Sequence, residues 1–351
     1  MNLFAGRWHV SWQRIRGHDD LIQSFQQVVR RGRLGHAYLF TGPPGVGKRL
    51  FAGELAKALL CEARHPDRLE ACDTCAACRL VDAETHPDFF IAGLPEENWE
   101  VPIEVIRELC RSLSLKPARG SRKIAILNDA DDLNDAAANC YLKTLEEPPP
   151  GSVLILIGTS PERQLTTIVS RCQLIRFAPL PEQTVAAILQ AQGMKSGPML
   201  EQLARMSHGS PGQALALADP ALWEFRRILL AGLSQPQPDT VGLARQWTEF
   251  LEEAGKDSAG QRRRAGLVLR LLIEFLNDVL HVKMGGAPKT ADAEELRLLR
   301  DLANRVDPDL LLDLLDRCLE ADMQIDRRVQ LVLIVEALLD ALGQKMCVLQ
   351  K

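Results

Sequence analysis

The stretch Gly42-Pro-Pro-Gly-Val-Gly47-Lys48-Arg49 limits most narrowly what this chain can fold into. It follows the phosphate-binding pattern G-x-x-x-x-G-K-[ST] at every position but the last. In such a loop the backbone N–H groups and the lysine cradle phosphates, while the Ser/Thr hydroxyl holds Mg²⁺. Arginine carries five donors and no acceptor, so Arg49 cannot coordinate a cation. Gly42, Gly45, Gly47 and Lys48 remain as an anion nest at a helix N-terminus, and magnesium is not expected. Arg49 adds positive charge at the positive end of a helix dipole, which is unfavourable unless an anion sits there. Two readings stay open: binding of ATP, ADP or phosphate without Mg²⁺, or glycines that merely keep a tight strand-to-helix turn.

The surroundings of the loop predict an α/β domain. His36–Phe40 is an apolar run entering the loop, and Lys48 to Leu60 carries Leu50, Phe51, Leu55 and Leu59 at helical spacing. Ile124–Leu127 and Val153–Ile157 are continuous apolar runs, as expected for strands covered on both faces. Between them, Asn134 to Glu147 reads as a helix stopped by Pro148-Pro149-Pro150. After Ala178-Pro-Leu-Pro181 only helical periodicity is found. Short helices are expected around Glu182–Ala191, Pro198–Ser207 and Pro211–Ala218, with a loop over Ser234–Thr240. Leu267–Val282, Asp309–Ala321 and Arg327–Leu342 are apolar helices that suggest a packed bundle. The expected division is an α/β domain over 1–178, a small helical domain over 179–220 and a helical domain over 221–351.

Charge and cysteine content narrow the function classes. A net charge of −4 argues against a surface that is basic overall, so Arg30-Arg31 and Arg262-Arg263-Arg264 read as solvated helix faces. The apolar run Leu331–Leu342 is interrupted by Glu336 and Asp340 and reads as a buried helix, so no membrane span is expected. Nine cysteines, with no export-like N-terminal stretch, fit a reducing cytoplasm better than a disulfide framework.

Catalysis of nucleotide hydrolysis needs an acidic pair at the end of a second buried strand, one carboxylate for Mg²⁺ and one to polarise water. Here Ile124–Leu127 ends in Asn128-Asp129, so a second metal contact is missing alongside the one at Arg49. Replacement by Asp131 or Asp132 would move the carboxylate off the strand end. Elsewhere, Cys61-x10-Cys72-x2-Cys75-x2-Cys78 gathers four thiols suited to a closed tetrahedral Zn²⁺ site of structural type. The runner-up is an iron–sulfur cluster, whose C-x2-C-x2-C-x3-C run fails at Asp82. His65 and His86 are spare nitrogen ligands, read here as loop residues. Cys110, Cys140, Cys172, Cys318 and Cys347 are scattered thiols.

The segment Lys123–Pro150 (KIAILNDADDLNDAAANCYLKTLEEPPP), with Val153–Thr159 and Ser170-Arg171-Cys172, resembles the clamp-loader branch of the AAA+ ATPases. The four-cysteine insert is similar to the zinc module of bacterial DNA polymerase III clamp loaders. The resemblance covers residues 15 to 218 well; the later helices agree only in texture. It implies a RecA-like AAA+ α/β domain, a small helical lid and an all-α C-terminal collar. In this family the motor subunits, gamma and tau, have Ser/Thr at position 49, Asp-Glu at 128–129 and an arginine where this chain has Gly212. Those departures point to the stator of the ring, which does not hydrolyse ATP itself. The resemblance further implies an open five-subunit ring with gamma/tau motors and a delta subunit. There Arg171 would reach the ATP site of the neighbouring motor, so that the sliding clamp is loaded onto primed DNA. Two other readings stand beside it: an active motor with unusual magnesium ligands, and a zinc-ribbon protein that binds DNA directly.

Overall fold

The computed structural model describes residues 10–65, 67–95, 98–235, 237–255, 258–288 and 292–347. Cα packing divides it into two units, Met1–Lys195 with Ser207–Gln213 and Ser196–Met206 with Ala214–Lys351.

The first unit is built on five parallel strands, β1 (Ala37–Thr41), β2 (Phe89–Ala92), β3 (Lys123–Leu127), β4 (Ser152–Ile157) and β5 (Gln173–Arg176). Their spatial order is β2-β3-β4-β1-β5. The three inner strands, β3, β4 and β1, are buried along their whole length, whereas β2 and β5 are partly exposed edges. Register pairs Leu39 with Leu156 and Leu127 with the same Leu156, so the sheet interior is a row of aliphatic side chains.

Period-two alternation gives the sheet two dissimilar faces. Ala37, Leu39, Ala125, Leu127, Leu154 and Leu156 pack with Ile106, Leu109, Ala138 and Tyr141 of α4 (Ile103–Ser114) and α5 (Asp135–Glu146). On the other face Tyr38 and Phe40 meet Phe25 of α1 (Asp19–Arg30) and Phe51 of α2 (Lys48–Leu60), and Phe177 completes an aromatic cluster with centroids 4.9 to 6.5 Å apart. The helix predicted over Lys48–Leu60 forms with those bounds; Phe51, Leu55 and Leu59 are buried, but Leu50 is 39% exposed and belongs to the outer face. Helix α5 is capped by the Asn134 side chain, which accepts from Ala137 N–H at 2.9 Å. The remaining helices of this unit are α3 (Ala76–Asp82), the single turn α6 (Thr166–Val169) and α7 (Glu182–Ala191).

No strand follows Arg176 among the described residues. The second unit holds α8 (Pro198–Met206), then, beyond α9 (Pro211–Ala216), α10 (Pro220–Leu233), α11 (Thr240–Glu252), α12 (Ser258–Lys283), α13 (Ala293–Arg305), α14 (Pro308–Asp326) and α15 (Leu331–Cys347). Aspartates at positions 219, 239, 292 and 307 cap α10, α11, α13 and α14 through backbone N–H groups. Phe225 and Phe250 stack at 4.5 Å, and a largely buried Arg226–Glu295 pair closes at 2.5 Å. Among the described residues no helix is long and apolar enough to cross a membrane.

Two expectations are corrected here. The last helix starts at Leu331 and not at Arg327, because α14 runs on to Asp326 and Arg328 turns the chain with φ 64°. Arg262 and Arg264 are not simply solvated. Arg262 donates to the Ile325, Arg328 and Val329 carbonyls at the end of α14. Arg264 donates to the Phe250 carbonyl at 2.8 Å and lies 4.1 Å from the centre of that ring. Both supply cation donors to carbonyls at or just beyond a helix C-terminus.

Candidate functional site

The glycine loop sits between β1 and α2, with Gly42, Gly45 and Gly47 at φ 140°, 76° and 105°. Side chains are strained in that region, so the turn itself requires glycine. The lysine does not project into an open nest. Lys48 Nζ donates to the Gly42 carbonyl and, at 2.8 Å, to the Pro43 carbonyl, which closes the loop on its own cation. Burial pulls the Lys48 pKa down to about 8, against the opposing pull of the Asp131 charge.

A second segment of the same unit packs against the loop. Ser210 Oγ donates to the Pro44 carbonyl at 2.7 Å and Gly212 N–H to the Gly45 carbonyl at 3.0 Å. A Cβ on Gly212 would stand 2.7 Å from Gly45 Cα, so only glycine fits against the loop backbone here. Gly212→Ala is therefore expected to destabilise the first unit by about 1–3 kcal/mol, as overpacking does, seen as a lowered denaturant midpoint at unchanged m-value.

Arg49 finds its anion within the chain. Its Nη2 pairs with Glu84 Oε1 at 2.9 Å, at the turn after α3, and not with anything in the glycine loop. At the end of β3, Asp129 adopts φ 53° and its carboxylate accepts from Leu94 N–H at 3.4 Å. Asp131 is fully engaged. Oδ2 accepts from Thr159 N–H at 2.7 Å and Thr159 Oγ1 at 2.6 Å, and Oδ1 from Gln164 Nε2 at 2.5 Å. It ties β3 to the segment after β4 and keeps its oxygens occupied. Sequence reasoning gave no role to Thr159, Gln164, Ser210 or Glu84. Thr159, at the end of Val153–Thr159, and Ser210, inside Gly209-Ser-Pro-Gly212, lay within motifs that could have drawn attention to them.

The four predicted cysteines come together. Sγ atoms of Cys61, Cys72, Cys75 and Cys78 all lie within 4.8 Å of one another, with Cys61–Cys75 and Cys72–Cys78 each at 4.0 Å. Four Zn–S bonds of about 2.3 Å in a tetrahedron need sulfurs about 3.8 Å apart, so the donor set fits a metal such as zinc. Backbone N–H groups of Cys72, Cys75 and Cys78 point at the preceding sulfurs, at 3.4, 3.3 and 3.4 Å, as anionic thiolates require. The Thr74 hydroxyl and backbone pull the Cys72 pKa down to about 6, whereas burial pushes Cys61 and Cys78 up. His65 and His86 stand outside this cluster. All the described cysteines are free thiols.

The cysteine module is fastened to α2 by one buried cation. Lys57, 3% exposed, reaches Asp73 at 2.8 Å, Glu54 at 3.1 Å and Asp82 at 3.2 Å. Asp73 lies between Cys72 and Cys75, so the cysteine loop and the helix that follows the glycine loop share one ion-pair network. Burial alone would lower the Lys57 pKa; its carboxylate partners outweigh that and raise it.

Arg171 lies at the C-terminal end of α6, 32% exposed. Its Nη1 donates to Thr167 O at 2.9 Å and Ser170 Oγ at 3.4 Å, and its Nη2 pairs with Glu146 of α5. The structure does not bring Arg171 to the chain's own glycine loop; no contact joins it to Gly42, Gly45, Gly47 or Lys48 among the described residues.

Residues 17–181 match the family model described as "DNA polymerase III, delta subunit". The tau subunit of DNA polymerase III from Bacillus subtilis (strain 168) is 31% identical over 59% of this chain and 37% of its own length. The delta' subunit from Pseudomonas aeruginosa is 35% identical over 64% of this chain and 69% of its own. Similarity extends furthest along the chain with the delta' subunit of Escherichia coli (strain K12) among these three, at 33% identity over 87% of this chain and 85% of that subunit. By its relatedness over that span, the chain belongs to the delta' family of DNA polymerase III subunits.

Proposed function

We propose that this protein is the noncatalytic stator of a DNA polymerase III clamp loader. Its Arg171 would act on the ATP held by a neighbouring gamma/tau motor subunit, in a ring that also contains a delta subunit. The observation that carries this reading is the state of Lys48. The cation that should grip phosphate is bound to its own loop carbonyls, with Gly212 packed against Gly45. Arg171, by contrast, stays partly exposed and keeps its charge at the surface. A guanidinium of this kind stabilises charge that develops on a transferred γ-phosphoryl group. The sliding clamp and primed DNA would then be met through the assembled ring, with residues 1–178 as the AAA+ domain, 179–220 as the lid and 221–351 as the collar.

In the same reading the four cysteines hold a structural Zn²⁺ in a closed site, and the free thiols fit a cytoplasmic setting. Thiolate ligands must lose their protons, so metal affinity falls as pH drops.

The test is ATP binding and hydrolysis by the purified chain alone, with and without Mg²⁺. The expected result is no Mg²⁺-dependent turnover. Any residual anion binding is expected to weaken as pH rises through about 8, where Lys48 loses its proton. Mg²⁺-dependent turnover by the isolated chain would instead make it a motor, in line with its likeness to tau.

A further inference from the structure

Resting on the stator reading, we infer that Glu146 is the positioning residue for Arg171. The guanidinium has five N–H donors, of which three are engaged: one on Glu146, one on Thr167 O and one on Ser170 Oγ. The acceptors come from two different helices, α5 and α6, so together they fix the plane of the guanidinium and not merely its location. Two donors stay available for a phosphate oxygen pair. An arginine that acts in trans gains from such fixing, because its rotamer freedom is then spent before the neighbour's phosphate arrives.

The position of Glu146 supports a role outside helix stability. It lies in the last turn of α5, where a carboxylate meets the negative end of the helix dipole, beside a second carboxylate at Glu147. An anion there is unfavourable for the helix taken alone. What offsets it is the cation of Arg171, and the pair is accessible at both ends, with Glu146 48% exposed. No proton moves between Glu146 and Arg171. In the motor's site water attacks the γ-phosphorus and gives its proton to a base or phosphate oxygen of that site, the β–γ bridging oxygen leaves with the bond electrons on the diphosphate, and Arg171 only meets the charge that accumulates. Glu146 holds the guanidinium while it does so.

The experiment is a double-mutant cycle in the complex reconstituted with motor subunits, clamp and primed DNA, reading the single-turnover rate of ATP cleavage (kcat for the adjoining site) and KM for ATP. Arg171→Ala is expected to lower kcat. Glu146→Gln is expected to lower kcat about fivefold, the upper end for an exposed ion pair, with KM unchanged. Glu146→Gln should add nothing in the Arg171→Ala background, and Glu146→Asp should recover part of the loss. A Glu146→Gln complex as fast as wild type or faster overturns the inference, since the carboxylate would then be idle or would hold Arg171 back. The same holds if Glu146→Gln costs as much without Arg171 as with it, which marks a role in folding or assembly. If Arg171→Ala itself leaves kcat unchanged, Arg171 has no role in trans, and the role of Glu146 falls with it.

Discussion

Arg171→Ala in the assembled clamp loader is expected to slow ATP cleavage at the adjoining motor site by about 10³-fold, the lower range for arginines acting on a transferred phosphoryl group. The loss should lie in the chemical step. Single-turnover hydrolysis is the measurement, because other sites of the ring would mask one slow site in the steady state. Ring assembly should survive: Arg171 gives its hydrogen bonds to Thr167, Ser170 and Glu146, all within the first unit, and none of them holds the aliphatic core. If single-turnover hydrolysis at every site keeps its wild-type rate while assembly is intact, Arg171 is a surface residue and the stator keeps only a scaffolding role.

Stripping the metal from the four-cysteine module is expected to have the largest effect on stability. Structural zinc contributes on the order of 10 kcal/mol of apparent folding free energy in small thiolate modules at neutral pH. Without it, burial favours protonated Cys61 and Cys78, and the Cys72 N–H now aimed at Cys61 Sγ loses an anionic acceptor. The damage should spread along Lys57. Once Asp73 and Asp82 move away, buried Lys57 is left with Glu54, whose carboxylate it shares with the exposed Arg14. Hydrogen exchange with and without a strong chelator tests this. Faster exchange is expected through residues 61–82 and then in the second half of α2. Unchanged exchange, in protein that also contains no stoichiometric zinc as purified, would leave the cysteines without a metal role.

The parts of the fold that were legible in the sequence are those fixed by local physics. The inner strands β3 and β4 read as unbroken apolar runs because both their faces are covered. Helix α5 announced itself through the Asn134 cap and the prolines after Glu147. Edge strands were not legible: β5, Gln-Leu-Ile-Arg, is too short and too polar at its ends to stand apart from a loop. Nor was the strand order, since parallel neighbours such as β4 and β1 are brought together by crossovers that leave no local trace. At the site, the cysteine spacing foretold a cluster, and the glycine pattern foretold the turn. What the pattern could not carry was where each cation goes. Arg49 and Arg262 have carboxylate and carbonyl partners settled by tertiary placement, and Lys48 turns back on its own loop carbonyls, whereas the sequence assigned those charges to phosphate or to solvent.

The apposition of Gly45 and Gly212 bears on how such a chain could ever change its trade. An arginine introduced at position 212 would meet the loop backbone before it could meet a nucleotide. A hydroxyl restored at position 49 would face a loop whose lysine is already bound to Gly42 and Pro43. Each single reversal is therefore useless or harmful until the loop has opened, and opening it has no benefit until the reversals are made. In the stator reading, loss of the nucleotide site in this geometry would work as a ratchet: changes at Arg49, Asn128 and Asp129 would go unpunished, while the way back would pass through less stable intermediates.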